Sequence, residues 1–273
     1  MERNRTIISP PHTISLGLKE LWKYRELLYF FAWRDIKVKY KQTYLGVAWA
    51  LIQPLALMLL FTYIFSRNLH FTSSGMKYEI YVLSGLILWN LFNTSTNNAS
   101  EGIIQQSGMI RKIYFPRLVI PISSLIVALF DFSIAFVLFL IFCIIYDQPM
   151  NINALFYFPV AILLTCLFSI GTGTILSALT VKYRDFRYAV PFMIQFLFFA
   201  STIVYSFDSL HQIWLKYLLA LNPVNGAIEL FRVPFTGEAH SQYILISLAS
   251  AIIITFAGVF YFRKSEAYFA DLA

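Results

Sequence analysis

The chain has 273 residues, of which 59% are hydrophobic and 18% aromatic, while only 13% are charged. That composition excludes an ordinary soluble domain, whose surface must be polar; in lipid, apolar side chains can face outward as long as helices satisfy the backbone. The net charge of +7 lies beside apolar stretches, so it reads as membrane orientation and not as nucleic-acid binding.

In chain order, residues 18–41 (LKELWKYRELLYFFAWRDIKVKYK) predict an amphipathic helix. Trp22, Tyr29, Trp33, Ile36 and Tyr40 recur at helical spacing, with Lys23, Glu26, Arg34, Lys37 and Lys41 on an adjacent stripe. Such a helix suits the headgroup layer, rings at the interface and cations toward lipid phosphate. A plain membrane anchor fits the same pattern. Six apolar stretches then predict spans at 45–65, 78–97, 118–146, 154–180, 189–206 and 241–262. Asn90, Asn93, Asn97 and Asn98 dilute the second, and the third is long enough to tilt. Of the 21 basic residues, 17 fall in the terminal tails and the loops at 98–117 and 181–188. This bias predicts cytoplasmic termini. The first 20 residues lack the apolar core of a cleavable signal. The chain reads as one domain over 1–273: a tail and interface helix at 1–44, a membrane bundle at 45–262 and a tail at 263–273.

Catalytic signatures do not emerge. The sequence has no GxxxxGK[ST] phosphate loop, no HExxH and no GxSxG. His12, His70, His211 and His240 are scattered, and no metal-ligand spacing appears. Cys143 and Cys166 lie inside spans and read as free thiols that pack as small apolar residues. Asp131 is an acid near the middle of a span, where a charge is costly and calls for a partner.

Trp49, Gln53, Ala56, Leu60 and Tyr63 share one face of the first span. Phe192, Gln195, Phe196 and Phe199 form a similar stripe in the fifth. Lipid would penalise Gln53, so its face is expected to look into protein or water; plain helix packing gives the same stripes. The loop at 99–117 holds Ile104, Met109 and Ile110 beside Arg111 and Lys112, which suits a partner protein or a basic topology loop. Ser169, Gly173 and Ser177 allow close helix approach, within the chain or between copies. In 207–239, Ile213, Trp214, Tyr217, Leu218 and Leu221 make an apolar face. A second short helix begins after Asn222-Pro223 and is expected to end before Pro234, with Glu229 paired to Arg232.

WRDIKVKYKQTYLGVAWALIQPL at 33–55, IRKIYFPR at 110–117, LNPVNGAIELFR at 221–232 and FRKSEAYFADLA at 262–273 together carry a resemblance. The chain resembles the permease subunits of ABC-2 type bacterial polysaccharide exporters, which move O-antigen, capsule or teichoic-acid chains. The resemblance implies an all-α membrane protein of six transmembrane helices, with an interface helix and re-entrant extracytoplasmic helices before the last span. It implies two copies of the chain, working with two copies of a nucleotide-binding ATPase that holds ATP and magnesium, and no cofactor in this chain. It implies a channel lined by Trp49, Gln53, Tyr63, Phe192, Gln195, Phe196 and Phe199. Arg34, Lys37 and Lys41 would meet the lipid pyrophosphate, and Ile104, Met109, Ile110, Arg111 and Lys112 would meet the ATPase. Trp214, Tyr217, Glu229 and Arg232 would gate the exit. The cargo expected is a lipid-linked polysaccharide, O-antigen first, moved outward across the cell's inner membrane. A small-molecule ABC-2 exporter and a membrane enzyme acting on lipid-linked sugars are the alternatives.

Overall fold

The computed structural model describes residues 18–41, 46, 48–68, 75–266 and 269. The tails 1–17 and 270–273, on which parts of the two terminal-tail assignments fall, lie outside the described residues. The structure is helical: α1 Leu18–Lys23, α2 Arg25–Lys41, α3 Ala48–Phe61, α4 Tyr78–Gln105, α5 Ser107–Ile110, α6 Val119–Ile145, α7 Ala154–Lys182, α8 Phe186–Phe199, α9 Ile213–Ala220, α10 Pro223–Thr236 and α11 Ser241–Ser265. A π-helical segment, Thr62–Asn68, continues α3.

Among the described residues, four helices are long and apolar enough to cross a membrane: Ala48–Phe65, α6, α7 and α11. The chain is therefore a multi-pass membrane protein. At about 1.5 Å per residue, the 28 residues of α4 are also long enough to cross. Its asparagines, with Glu79 and Glu101, lower its apolar density. Every residue from Ile80 to Trp89 is buried, so α4 runs through the centre of the bundle, against α3, α6, α7, α8 and α10. The fifth expected span is shorter than read. α8 has 14 residues and stops at Phe199, covering about 21 Å of the ~30 Å hydrocarbon core. Residues 200–212, after it, are irregular backbone.

Two packing devices hold the bundle. α7 and α11 approach backbone to backbone: a Cβ on Gly171 would lie 2.8 Å from the backbone of Thr255, and Thr255 donates its hydroxyl to the Leu167 carbonyl at 2.7 Å. Ser169, Gly173 and Ser177 are all buried in this single chain. The small-residue stripe thus serves packing within the chain. The second device is an aromatic cluster around Phe231 of α10. Its ring stacks on Phe158 with centroids 4.3 Å apart and meets Phe139 at 5.3 Å. The helix expected to stop before Pro234 runs on to Thr236, capped by Gly237 with φ of 74°.

The first and last described helices meet at one end of the bundle. Arg263 on α11 lies 3.9 Å from Glu20 on α1 and 2.9 Å from Glu266. Phe115, after α5, packs its ring near Phe31 of α2. The basic loops lie at this same end, which is the basic end of the bundle.

Candidate functional site

At the basic end, α2 packs along the first half of α6. Phe31 meets Phe115 with centroids 5.6 Å apart, and Tyr40 meets Phe130 at 5.9 Å. Lys39 and Tyr40 both bond the carboxylate of Asp131, which thus has the partners that its position in α6 demands. Burial first, and then the Asp131 carboxylate, push the Tyr40 phenol well above its ordinary range, so it stays a donor. Arg34 is held differently. It donates to Asp35 at 2.7 and 2.9 Å and to the Gln106 side chain at 3.1 Å, with its guanidinium over the Phe31 ring. Lys37, which sits over Trp33, and Lys41 are exposed. The three expected headgroup cations therefore do not act as one cluster: two face outward and one is engaged inside the chain.

Between α2, α4 and α6 lies a cavity of about 310 Å³. A second, of about 150 Å³, continues from it toward Trp49 and Gln53 of α3. The two share Lys39 and Thr94. The dilution of α4 by asparagine now has a place: Asn90, Thr94 and Asn98, four residues apart on one face, line the two cavities in turn.

The aromatic stripes of α3 and α8 remain uncovered. Trp49 and Tyr63 are 56% and 61% exposed, and Phe192, Phe196 and Phe199 about 70%. Gln53 and Gln195 are exposed beside them. Phe61 stacks on Phe198 with centroids 6.0 Å apart, so α3 and α8 touch near their C-terminal ends. Only 11% of the apolar window starting at Ala48 is buried, the least of the four.

The loop after α4 turns its apolar side inward. Ile110 is buried, and Ile104 and Met109 pack on the cluster around Phe31 and Phe115. Arg111, Lys112, Ile113 and Tyr114 are the exposed residues.

At the opposite end, the expected Glu229–Arg232 pair does not form. Arg232 is buried and donates to Ser84 Oγ at 3.1 Å and to the carbonyls of Thr202 (2.8 Å), Tyr81 (2.9 Å) and Ile203 (2.9 Å). Its guanidinium lies 3.4 Å from the Tyr81 ring centroid. Glu229 instead bonds His240 Nδ1 at 2.6 Å, and His240 Nε2 lies 3.1 Å from Asp208. The Glu229 bond raises the His240 pKa against the opposing effect of burial. Asn225, which sequence reading passed over, accepts from the Thr202 amide at 2.8 Å and donates to the carbonyls of Ala200 and Leu219. Irregular backbone is tolerated at depth only when its polar groups are satisfied, and α10 supplies them. Trp214 and Tyr217 are exposed on α9, apart from this network, with Tyr217 edge-on to Tyr243.

The sequence profile of the ABC-2 type transporter family matches residues 26–236. The chain belongs to that family. Within this ABC-2 protein, the matched stretch runs from α2 to the end of α10 and so includes the Asp131 and Arg232 networks, with His240 just beyond it. The chain is similar to an O-antigen export system permease protein RfbA of Klebsiella pneumoniae, 26% identical over 248 residues, covering 90% of this chain and 95% of that one. An RfbA of Myxococcus xanthus is 26% identical over 258 residues, covering 91% and 96%. The polysialic acid transport protein KpsM of Escherichia coli is 26% identical over 243 residues, covering 85% and 91%.

Proposed function

We propose that this ABC-2 protein is the transmembrane subunit of an ATP-driven exporter. It moves a lipid-linked polysaccharide, O-antigen first and capsule or teichoic acid next, across the inner membrane to its outer side. The observation that carries the reading is the nearly full-length similarity to permeases named for O-antigen and polysialic acid. Six crossings, with α4 and α8 as the second and fifth, and the pair α9–α10 entering from outside complete the single domain over 1–273. The basic end faces the cytoplasm, in line with the charge bias.

Two copies of the chain face each other across the exposed stripes. The exposure of Trp49, Gln53 and Tyr63 on α3 and of Phe192, Gln195, Phe196 and Phe199 on α8, two helices that touch at Phe61 and Phe198, supports a channel wall, because uncovered aromatics in so shallowly packed a helix require lipid, cargo or a second copy to cover them. Lys37 and Lys41, both exposed, suit the lipid pyrophosphate, while Arg34 holds α2 to the loop at Gln106. ATP and magnesium belong to a partner ATPase. Arg111 and Lys112 contact it with Ile113 and Tyr114, 61% and 59% exposed, while Ile104, Met109 and Ile110 back that loop from within. Arg232 and Glu229 anchor the exit segment, and Trp214 and Tyr217 offer its outer surface.

Affinity purification in mild detergent followed by native mass spectrometry tests this. Two copies of the chain with two of a nucleotide-binding subunit is the expected mass. A chain that comes alone, even after crosslinking in the membrane, removes the exporter reading.

A further inference from the structure

The cleft between α2, α4 and α6 leads through the second cavity to Trp49 and Gln53, the first members of the α3 stripe. Its 310 Å³ lies at the lower end of the ~300–1,000 Å³ usual for ligand sites. Its wall carries Thr94 and Asn98 along one face of α4 with Gln105 at its basic end, and the second, smaller cavity continues the run with Asn90 of α4 and Gln53 of α3. Trp49, 56% exposed, adds a flat apolar face where the second cavity ends. Amides both donate and accept, so together they recognise groups that do the same.

Charge narrows the ligand further. The charged residues lining the two cavities are Asp35, Lys39 and Asp131. Asp35 is compensated by Arg34, and Lys39 by Asp131. The cleft therefore has no uncompensated cation for a phosphate and no uncompensated anion for an amine. An acyl chain would cover the polar groups of Asn90, Thr94, Asn98 and Gln53 without bonding them, at about 1–3 kcal/mol for each one buried, while Gln105 keeps its bond to Glu101 at 2.9 Å. What remains is a neutral ligand rich in hydroxyls, with one apolar face to lie on an indole.

We infer that this cleft is a sugar-binding site within each protomer, in which the uncharged rings of the cargo rest beside α2 before they reach the aromatic stripes. The inference rests on the exporter reading and deepens it. The pyrophosphate of such a cargo would remain outside the cleft, near the exposed Lys37 and Lys41. The ion pair of Lys39 with Asp131 stands where the two cavities join and holds α2 as the cleft's wall.

The test uses the full complex in cells whose surface glycan depends on this chain. The wild-type chain is first returned to a deletion strain. Asn98→Trp, at an exposed position, then fills the cleft, and Asn98→Ala with Gln105→Ala strips its amides without filling it. With the complex present at wild-type abundance, surface glycan should fall about tenfold or more, because small misplacements of a bound substrate cost large factors in rate. A benzophenone amino acid at position 98 should crosslink to glycan under light, giving an adduct of slow mobility that a glycan antibody stains. The same group at the exposed Leu155 should not. Normal surface glycan in both cleft variants overturns the site while leaving the exporter standing, and so does an adduct that forms from Phe196 but not from position 98. A wild-type chain that restores no glycan overturns the exporter reading itself, and this inference with it.

Discussion

Lys39, near the end of α2, forms an ion pair with Asp131, inside α6. The contact spans 92 positions of sequence and joins the amphipathic helix to the membrane bundle at the place where the two cavities meet. It answers the cost of an acid in a hydrophobic helix and fixes the direction of α2 at the same time. Tyr40, donating to the same carboxylate, keeps it bonded from a second side.

The pair should be measurable. The Lys39 side chain is 43% exposed and that of Asp131 15%. Lys39→Met should therefore cost about 1–3 kcal/mol, above the ~0–1 kcal/mol of a surface pair and below the ~3–5 kcal/mol of breaking a fully buried one. Thermal unfolding of the detergent-solubilised complex is the readout. Lys39→Met with Asp131→Asn should be less damaging than the sum of the two single changes, since the orphaned charge is gone. Strict additivity would show that the two residues do not interact.

Arg232 should be the least replaceable cation in the chain. Its fork reaches Ser84 Oγ and three backbone carbonyls on α4 and the 202–203 segment. A lysine ammonium is a single point and cannot span them. Arg232→Lys should lose about 3–5 kcal/mol, the range for a buried charge or its partners left unmatched, and show as aggregation in size-exclusion chromatography. A monodisperse, fully stable Arg232→Lys complex would refute this.

Residue periodicity carried much of this architecture. The amphipathic α2, the long α6, α7 and α11 and the turn into α10 at Asn222-Pro223 are all legible in local pattern, because apolar runs, helix spacing and caps are local signals. Three things were not. The end of α8 at Phe199 depends on Asn225 and Arg232 capturing the backbone of 200–203, contacts more than 20 positions away. The Glu229 partner is His240, 11 positions on, because the fold turns between α10 and α11 and Arg232 points to α4. Ile110 turned inward because α2 and Phe115 cover it. At the site, the exposed stripes were readable from spacing alone, whereas the cleft is formed by helices far apart in sequence. Asn90 and Asn98 read as a dilution of a span until α2 and α6 enclosed them, and Thr94 between them gave no signal.

Gly171 provides a prediction about packing. An added Cβ meets the Thr255 backbone, which belongs to a helix and cannot rotate away. Gly171→Ala should force α7 and α11 apart, at about 1–3 kcal/mol for an overpacked core, and lower the unfolding temperature. A companion change at Gly108, where nothing lies within 4 Å, should leave it unchanged. Equal effects at the two positions would remove the close approach from the account.

His240 makes stability depend on pH. Its pKa is raised above the ordinary value of 6.5 chiefly by the hydrogen bond to Glu229, with Asp208 on its other nitrogen and Tyr243 beside the ring. A raised folded-state pKa means that the protonated form binds the fold more tightly. The contribution is therefore full below about pH 6.5, the unfolded value, and is lost as pH rises through the folded value. Unfolding temperature in detergent should fall over that rise in the wild type. His240→Gln, which keeps a hydrogen-bond donor without the charge, should flatten this part of the curve. A wild-type profile that His240→Gln leaves unaltered would mean that another group sets it.

The exposed loop after α5 yields a last expectation from exposure and charge. Ile113 and Tyr114 stand in solvent beside Arg111 and Lys112, on a loop whose other apolar residues are buried or packed inward. Exposed aromatic and aliphatic side chains flanked by cations form the type of small patch that buries into a partner groove. Ile113→Ala with Tyr114→Ala should reduce co-purification of the ATPase subunit with little loss of unfolding temperature, because neither side chain belongs to the cluster around Phe31 and the Tyr114–Glu20 bond is long, at 3.4 Å, and exposed. Arg111→Glu with Lys112→Glu should weaken the same association more at low salt than at high, since screening removes a charge effect and spares an apolar one. Undiminished co-purification in both double variants would move the contact elsewhere, with the basic loop at 181–188 the next surface to change.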